Sequence, residues 1–409
     1  MRTLPILIAA MFAACSAAAS ARPPAAWPQA PAGFASLAEI DRAAEAFPNS
    51  MGLQRRRLAA AVEAGDRAAV LDSANKLAAA GAGLAPGSRA LLAPLLGAAD
   101  MKRLNARFDR NMKPLATSSA FLAFPSSDRL IEGIAAGSDF EEIFGASVVD
   151  RRLVAIHPRY GRFELNVPDA GSLLGMVFDP RSRRLLVASA VVDETPKTGS
   201  PFSGLLSVDP GHPEQAVRIP APLGATLGDV AVAADGVVYA SDGLTGAVYA
   251  CRPGCSSLEV LVPPGRLFSA QGMAVSTDRK WLYVADRRFG LAAVERSSGR
   301  IFRVAGARDV MLDGIDGLVG YDGDLIATQT AYAPQRIVRL RLSRGGLRVT
   351  KLDVLERANP EWGEVTLAAL AGDRLLYVAA AQWESFGEGG IPKGDGPPEP
   401  TPIRMLKLR

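Results

Sequence analysis

Downstream of residue 125, apolar and polar positions fall into short runs separated by turn residues, and the pattern repeats. Six tripeptides open the repeats: Glu132-Gly133-Ile134, Leu174-Gly175-Met176, Gly228-Asp229-Val230, Gln271-Gly272-Met273, Asp316-Gly317-Leu318 and Glu364-Val365-Thr366. Each leads into a short apolar run. Five runs then reach a turn, read as FDPRSRR, AADG, STDRK, YDGD and AGDR. A second β-rich run follows each turn: LLVAS, VVYAS, WLYVAD, LIATQ and LLYVA. The first copy is the most degenerate, with IFGASVV as its second run. The openings lie 42, 54, 43, 45 and 48 residues apart by subtraction. Repeats of this period, built from short strands and turns, predict a β-propeller with one four-stranded sheet per repeat. The expected fold class is mainly β: a six-bladed propeller over residues 112–409 behind a small α-helical domain. The last β-rich run, Ile403 to Leu408, lacks a fourth partner in its repeat, and Leu115 to Phe124 can supply it. First and last segments would then share one blade and hide the sheet edges.

Upstream the period is helical. Leu37, Ile40, Ala44 and Phe47 fall on one face and Pro48 stops the helix. Leu53, Leu58, Ala61 and Val62 make a second stripe, ended by Gly65-Asp66. Val70, Leu71, Ala74, Leu77 and Ala78 make a third, ended by Gly81, and a shorter helix is expected from Pro86 to Leu96. The expected domains are a signal peptide (1–21), a mobile Pro- and Ala-rich linker (22–35), a helical domain (36–111) and the propeller. The helical domain reads as a cap on the propeller, with a protein partner as the alternative.

The first 21 residues read as a targeting segment. Arg2 precedes the apolar run Leu4 to Ala14, and Ala19-Ser20-Ala21 forms an A-x-A cleavage site. Ala13-Ala14-Cys15 resembles a lipoprotein site, but Phe12 stands where Leu is usual, so soluble export to the periplasm or medium is preferred over anchoring. No stretch is long enough to span a membrane. Cys251 and Cys255 then flank a Pro-Gly turn between two strands. In an oxidising compartment they are expected to form a disulfide.

Innermost strands of a propeller face one channel. The six opening residues should form a ring at one mouth: Glu132, Leu174, Gly228, Gln271, Asp316 and Glu364. Carboxylates forced together protonate or share a cation. Oxygen donors suit Ca²⁺, with Mg²⁺ or Mn²⁺ as alternatives. The chain has 2 histidines, neither in a ring position, which disfavours Zn²⁺, Cu and Fe sites. Strand-end residues Asp150, Asp242, Asp286, Gln329 and Gln382 suggest an outer ring. Asp229, Asp286, Gln329 and Tyr332 are candidate substrate contacts. A net charge of +4 on 409 residues makes no case for nucleic acid. The basic run Arg336 to Arg348 alternates as a solvated strand face without interleaved aromatics. No G-x-S-x-G, H-E-x-x-H or Walker sequence occurs.

The repeats LLGMVFDPRSRRLLVAS, GDVAVAADGVVYASD and QGMAVSTDRKWLYVAD resemble the gluconolactonase, senescence-marker-protein and luciferin-regenerating-enzyme family of six-bladed propellers. The helix pair around Ala-Gly-Asp resembles one degenerate tetratricopeptide-type hairpin. The propeller resemblance implies one divalent cation, often Ca²⁺, held by a Glu, an Asn and an Asp, the Asp serving also as base. Glu132 and Asp316 match two of these positions, and Gln271 stands where the Asn is expected. Gly228-Asp229 replaces an Asn-Asp pair, and Thr226 replaces a substrate-facing Arg. The sugar-facing half of the site is thus changed. Related strictosidine-synthase-like propellers use a late Glu, which Glu364 matches. The expectation is an exported metal-dependent hydrolase of a lactone or related ester, with Glu132, Gln271 and Asp316 on the cation and Asp316 or Glu364 as base. The alternative is a non-catalytic propeller that binds a small molecule or a protein, favoured if the Gly387–Pro402 loop plugs the channel.

Overall fold

The computed structural model describes residues 24–29, 31, 33, 34, 36–138, 141–394 and 396–408. The expected signal peptide and Cys15 lie outside these. Six four-stranded antiparallel sheets follow one another. Their innermost strands are Ile131–Ala136 (blade 1), Ser172–Asp179 (blade 2), Leu227–Val232 (blade 3), Ala270–Val275 (blade 4), Ile315–Tyr321 (blade 5) and Ala368–Ala371 (blade 6). Blade 6 is closed by both ends of the chain. Its outermost strand, Ser119–Phe124, pairs with Thr401–Lys407, which pairs with Arg374–Val378. Apolar side chains alternating along the strands fill the spaces between blades. Leu318, Leu325, Val338 and Leu340 of blade 5, for example, pack on Tyr283, Ala285 and Leu291 of blade 4.

The opening tripeptides have a structural cause. In blades 1 to 5 the strand register slips at the tripeptide, between Ile131 and Gly133, Leu173 and Met176, Leu227 and Val230, Ala270 and Met273, and Ile315 and Leu318. A bulge of this kind re-aims a side chain, here toward the channel. The following glycine permits close approach of the next blade. A Cβ on Gly272 would lie 2.5 Å from the carbonyl oxygen of Asp316, and one on Gly133 would collide with the carbonyl of Leu174. Repeat 3 differs: Asp229 occupies the glycine position, and its carboxylate takes the space left by Gly175.

The helical domain comprises α1 (Leu37–Ala46), α2 (Met51–Glu63), α3 (Arg67–Ala79) and α4 (Pro86–Asn111). Ser36, Ser50 and Asp66 cap the first three through side-chain oxygens. The fourth is longer than the Pro86–Leu96 segment expected from the sequence. Gly97, at φ 75°, breaks it, and a second stretch then buries Met101, Leu104 and Phe108. The domain core takes in Met311 and Tyr332 of the propeller. Asp313, buried at 3% exposure, joins the two. Its carboxylate accepts from the amides of Met51 and Gly52, each at 2.8 Å, from Ser50 Oγ at 3.0 Å and from Tyr332 Oη at 3.1 Å.

Two further expectations change. The linker is not free throughout: Ala26 bridges Phe302, and the buried Trp27 packs edge-on against Phe47. The basic run Arg336 to Arg348 is not a solvated face throughout either: Arg344 and Arg348 are exposed, but Arg336 and Arg339 are not. Arg336 donates to Ala80 O at 2.8 Å and Gln329 Oε1 at 2.7 Å, and Arg339 pairs with Asp324 at 2.8 Å. Both arginines are buried.

Candidate active site at the channel mouth

The bulges of blades 1, 3 and 5 and the segment ahead of the blade 6 strand deliver four carboxyl groups to one cavity of about 390 Å³. Glu132, Asp229, Asp316 and Glu364 line it with Gln271, Arg287, Thr366 and Trp383, and Leu174, Leu227 and Leu244 supply apolar wall. Five of the six ring residues stand in their innermost strands, and Glu364 stands just ahead of its own. All six line the cavity. The described residues of the Gly387–Pro402 loop do not plug the channel. Gly389 donates to Asp193 O over blade 2, and no described residue of the loop lines the cavity.

Glu132 is a strongly perturbed acid. Burial pushes its carboxyl up from 4.5 to about 8, and the charges of Asp316 and Glu364 add to this. The indole N–H of Trp383 opposes it by donating to Oε2 at 2.8 Å. Burial likewise raises Asp229 to about 7 against the backbone N–H groups of Val230 and Met273. Glu364 is raised by partial burial and by the charge of Asp316. Burial raises Asp316, while Arg287 and the Thr330 hydroxyl, one at each carboxylate oxygen, hold it down. Burial thus favours a neutral Glu132 at neutral pH, while the Arg287 guanidinium beside Asp316 favours the ionised form of that carboxyl, the separation of roles that acid–base catalysis needs.

The donor types fit a hard cation, but their arrangement does not. Among the described residues no three His, Cys, Asp or Glu side chains converge to hold a metal ion. Arg287 Nη1 donates to Asp316, so the positive charge that the sequence led us to assign to a metal is present as a guanidinium. Gln271 turns its amide nitrogen to Ser269 Oγ at 2.9 Å. The remaining guanidinium N–H groups of Arg287 carry no hydrogen bond among the described residues, and its side chain is 43% exposed.

The outer ring is structural except at Gln382, which lines a neighbouring cavity with Arg287 and Glu364. Asp286 is fully buried and accepts from the amides of Phe268 (2.6 Å), Arg288 (3.0 Å) and Phe289 (3.1 Å). Asp242 holds Thr226, Leu244 and Thr245, and Asp150 holds Arg129. These are turn carboxylates satisfying backbone donors. Gln329 donates to the carbonyls of Met311 and Asp313, and the Tyr332 ring lies under the Arg336 guanidinium at 4.3 Å. Asp286, Gln329 and Tyr332 are thus not brought to the cavity, and of the four candidate substrate contacts only Asp229 is. Arg287 and Thr330 were missed because blade-to-blade proximity, not sequence spacing, brings them to Asp316. His157 is a turn residue whose Nδ1 accepts from Arg159 and Tyr160 amides.

Cys251 and Cys255 form a disulfide with their Cα atoms 5.6 Å apart. No helix among the described residues is long and apolar enough to cross a membrane.

No family model matches the sequence, the α2–α3 pair included, and no curated protein matches it. Among solved structures the chain is similar to a calcium-binding protein, regucalcin, from Agrobacterium tumefaciens, at 18% identity and TM-score 0.48, over 72% of this chain and 98% of that one. It is similar to a gluconolactonase from Xanthomonas campestris at 15% identity and TM-score 0.47, over 72% and 95%. It is similar also to a streptogramin B lyase at 11% identity and TM-score 0.48, over 70% and 87%. These likenesses concern the blade architecture and assign no activity to this chain.

Proposed function

We propose that the channel mouth is the active site of an exported hydrolase of small lactones or related esters. The observation that carries the reading is the convergence of a neutral Glu132, an ionisable Glu364 and the Asp316–Arg287 pair on one cavity. Glu364 takes a proton from water as the water oxygen attacks the carbonyl carbon. The free N–H groups of Arg287 stabilise the charge developing on the carbonyl oxygen. Glu132 gives its proton to the departing alkoxide as the acyl–oxygen bond breaks, and solvent restores both groups. Asp316 holds Arg287 in position. Trp383 orients Glu132 through the hydrogen bond at 2.8 Å. Export is supported by the disulfide and by the targeting pattern of residues 1–21.

The wall formed by Leu174, Leu227 and Leu244, with Thr226 and Gly228 where the family carries polar groups, favours less polar lactones over sugar lactones. A lactone and aryl-ester panel tests the reading. Glu132→Gln and Glu364→Gln should each lower kcat/KM by about 10²- to 10⁴-fold. Equal activity in wild type and both variants would mean that the ring is not catalytic.

A further inference from the structure

The mouth is chemically divided by blade number. Blades 2 to 4 present an apolar lip. Leu244 lines the cavity yet is 77% exposed, and Leu223, in the loop leading to the cavity residue Thr226, is fully exposed. Val191 precedes the cavity residue Val192, Phe268 precedes Ser269, and both are exposed apolar side chains. Single exposed apolar residues are ordinary, but several on loops that line one cavity mark a contact surface.

Blades 5 and 6 present the opposite chemistry. A second cavity of about 490 Å³ is lined by Arg287, Thr330, Gln335, Glu364, Glu384 and Ser385, among others. It shares Arg287 and Glu364 with the first cavity. Arg287 and Glu364 therefore stand on the partition between the two cavities, while Glu132 and Asp316 line the first alone. The Arg287 N–H groups that carry no hydrogen bond are available at that partition.

We infer that the ligand is amphiphilic: its aliphatic chain lies along the lip of blades 2–4, and its polar, hydroxyl-bearing head lies in the second cavity of blades 5 and 6. The inference rests on the hydrolase reading only for the place of the scissile bond between the two halves. A purely polar ligand would leave the lip wet, and a purely apolar one would strip water from Glu384 and Ser385 without replacing it.

The test uses N-alkyl acetamides from butyl to decyl, which carry the chain without a cleavable ester, titrated calorimetrically into the full chain. Affinity should rise about two- to fourfold per methylene until the chain leaves the lip. In a Leu223→Asp/Leu244→Asp variant the series should flatten. Replacing the acetamide by a dihydroxypropanamide head should tighten wild-type binding several-fold, and Glu384→Ala/Ser385→Ala should lose that gain. All four positions are exposed or on the rim, and melting curves confirm that the variants fold. An affinity independent of chain length in wild type, or the same series in wild type and lip variant, would overturn the inference. Because no bond is cleaved, a steep chain-length series alongside an inert ester panel would remove the hydrolase reading and leave the amphiphile site standing.

Discussion

Glu132→Gln separates the proposed acid from the rest of the chain without using a substrate. Folding raises the Glu132 pKa from 4.5 to about 8, so the folded chain holds this proton more tightly than the unfolded chain does. Its contribution to stability is fully present below pH 4.5 and is lost as pH rises through about 8. At about 1.4 kcal/mol for each tenfold difference in proton affinity between folded and unfolded chain, the loss approaches 5 kcal/mol at its ceiling. At 9% exposure, solvent does little to screen the group. Glutamine keeps an oxygen for the Trp383 indole and does not titrate. Urea unfolding of wild type and variant at half-unit steps from pH 5 to 9 isolates the effect, since every other group titrates in both. Wild type should lose about 3–5 kcal/mol relative to Glu132→Gln across that range. Parallel stability curves would show that Glu132 is already ionised at neutral pH, and its role as acid would fall.

Arg287→Met should lower kcat/KM by about 10²- to 10³-fold by removing the oxyanion donor. It should also create a Ca²⁺-dependent rise in Tm that wild type lacks at pH 7, because the carboxylates lose their internal cation; absence of that rise in the variant would refute the substitution of guanidinium for metal. Asp313→Ala should cost about 3–5 kcal/mol, since it orphans two amides and the Tyr332 hydroxyl in a buried seam, and limited proteolysis should then cut preferentially near Pro48; an unchanged melting curve would deny the seam this role. The Cys251–Cys255 bridge closes a very small loop, so Cys251→Ser/Cys255→Ser should cost no more than about 2 kcal/mol. Thiol titration of denatured, unreduced protein from the export compartment should find none free.

Much of the fold could be read from the chain because the repeat is local: each bulge tripeptide, apolar run and turn lies within a dozen residues. The ring could be read for the same reason, since one position per repeat faces the axis. What the sequence did not disclose depends on blades meeting. Arg287 leaves blade 4 and reaches Asp316 of blade 5, and Trp383 leaves blade 6 and reaches Glu132 of blade 1. Neither pairing has a fixed spacing. Gln329 and Tyr332 misled for a related reason: their polar atoms suit a ligand, but Asp313 and Arg336 of the propeller engage them in the seam with the helical domain. The second half of α4 was missed because Gly97 interrupts the stripe that Met101, Leu104 and Phe108 resume.

The closing blade gives the chain a sense of its own completion. Glu132 belongs to the first blade, Glu364 and Trp383 to the last, and the last blade exists only when Thr401–Lys407 slots between Ser119–Phe124 and Arg374–Val378. The burial and the neighbouring charge that keep Glu132 protonated are therefore assembled only when that strand docks. Without it the ring stays open beside Glu132, and the glutamate is expected to keep its ordinary solvated character. The proposed chemistry switches on with ring closure, so the acid at the mouth reports whether blade 6 has formed.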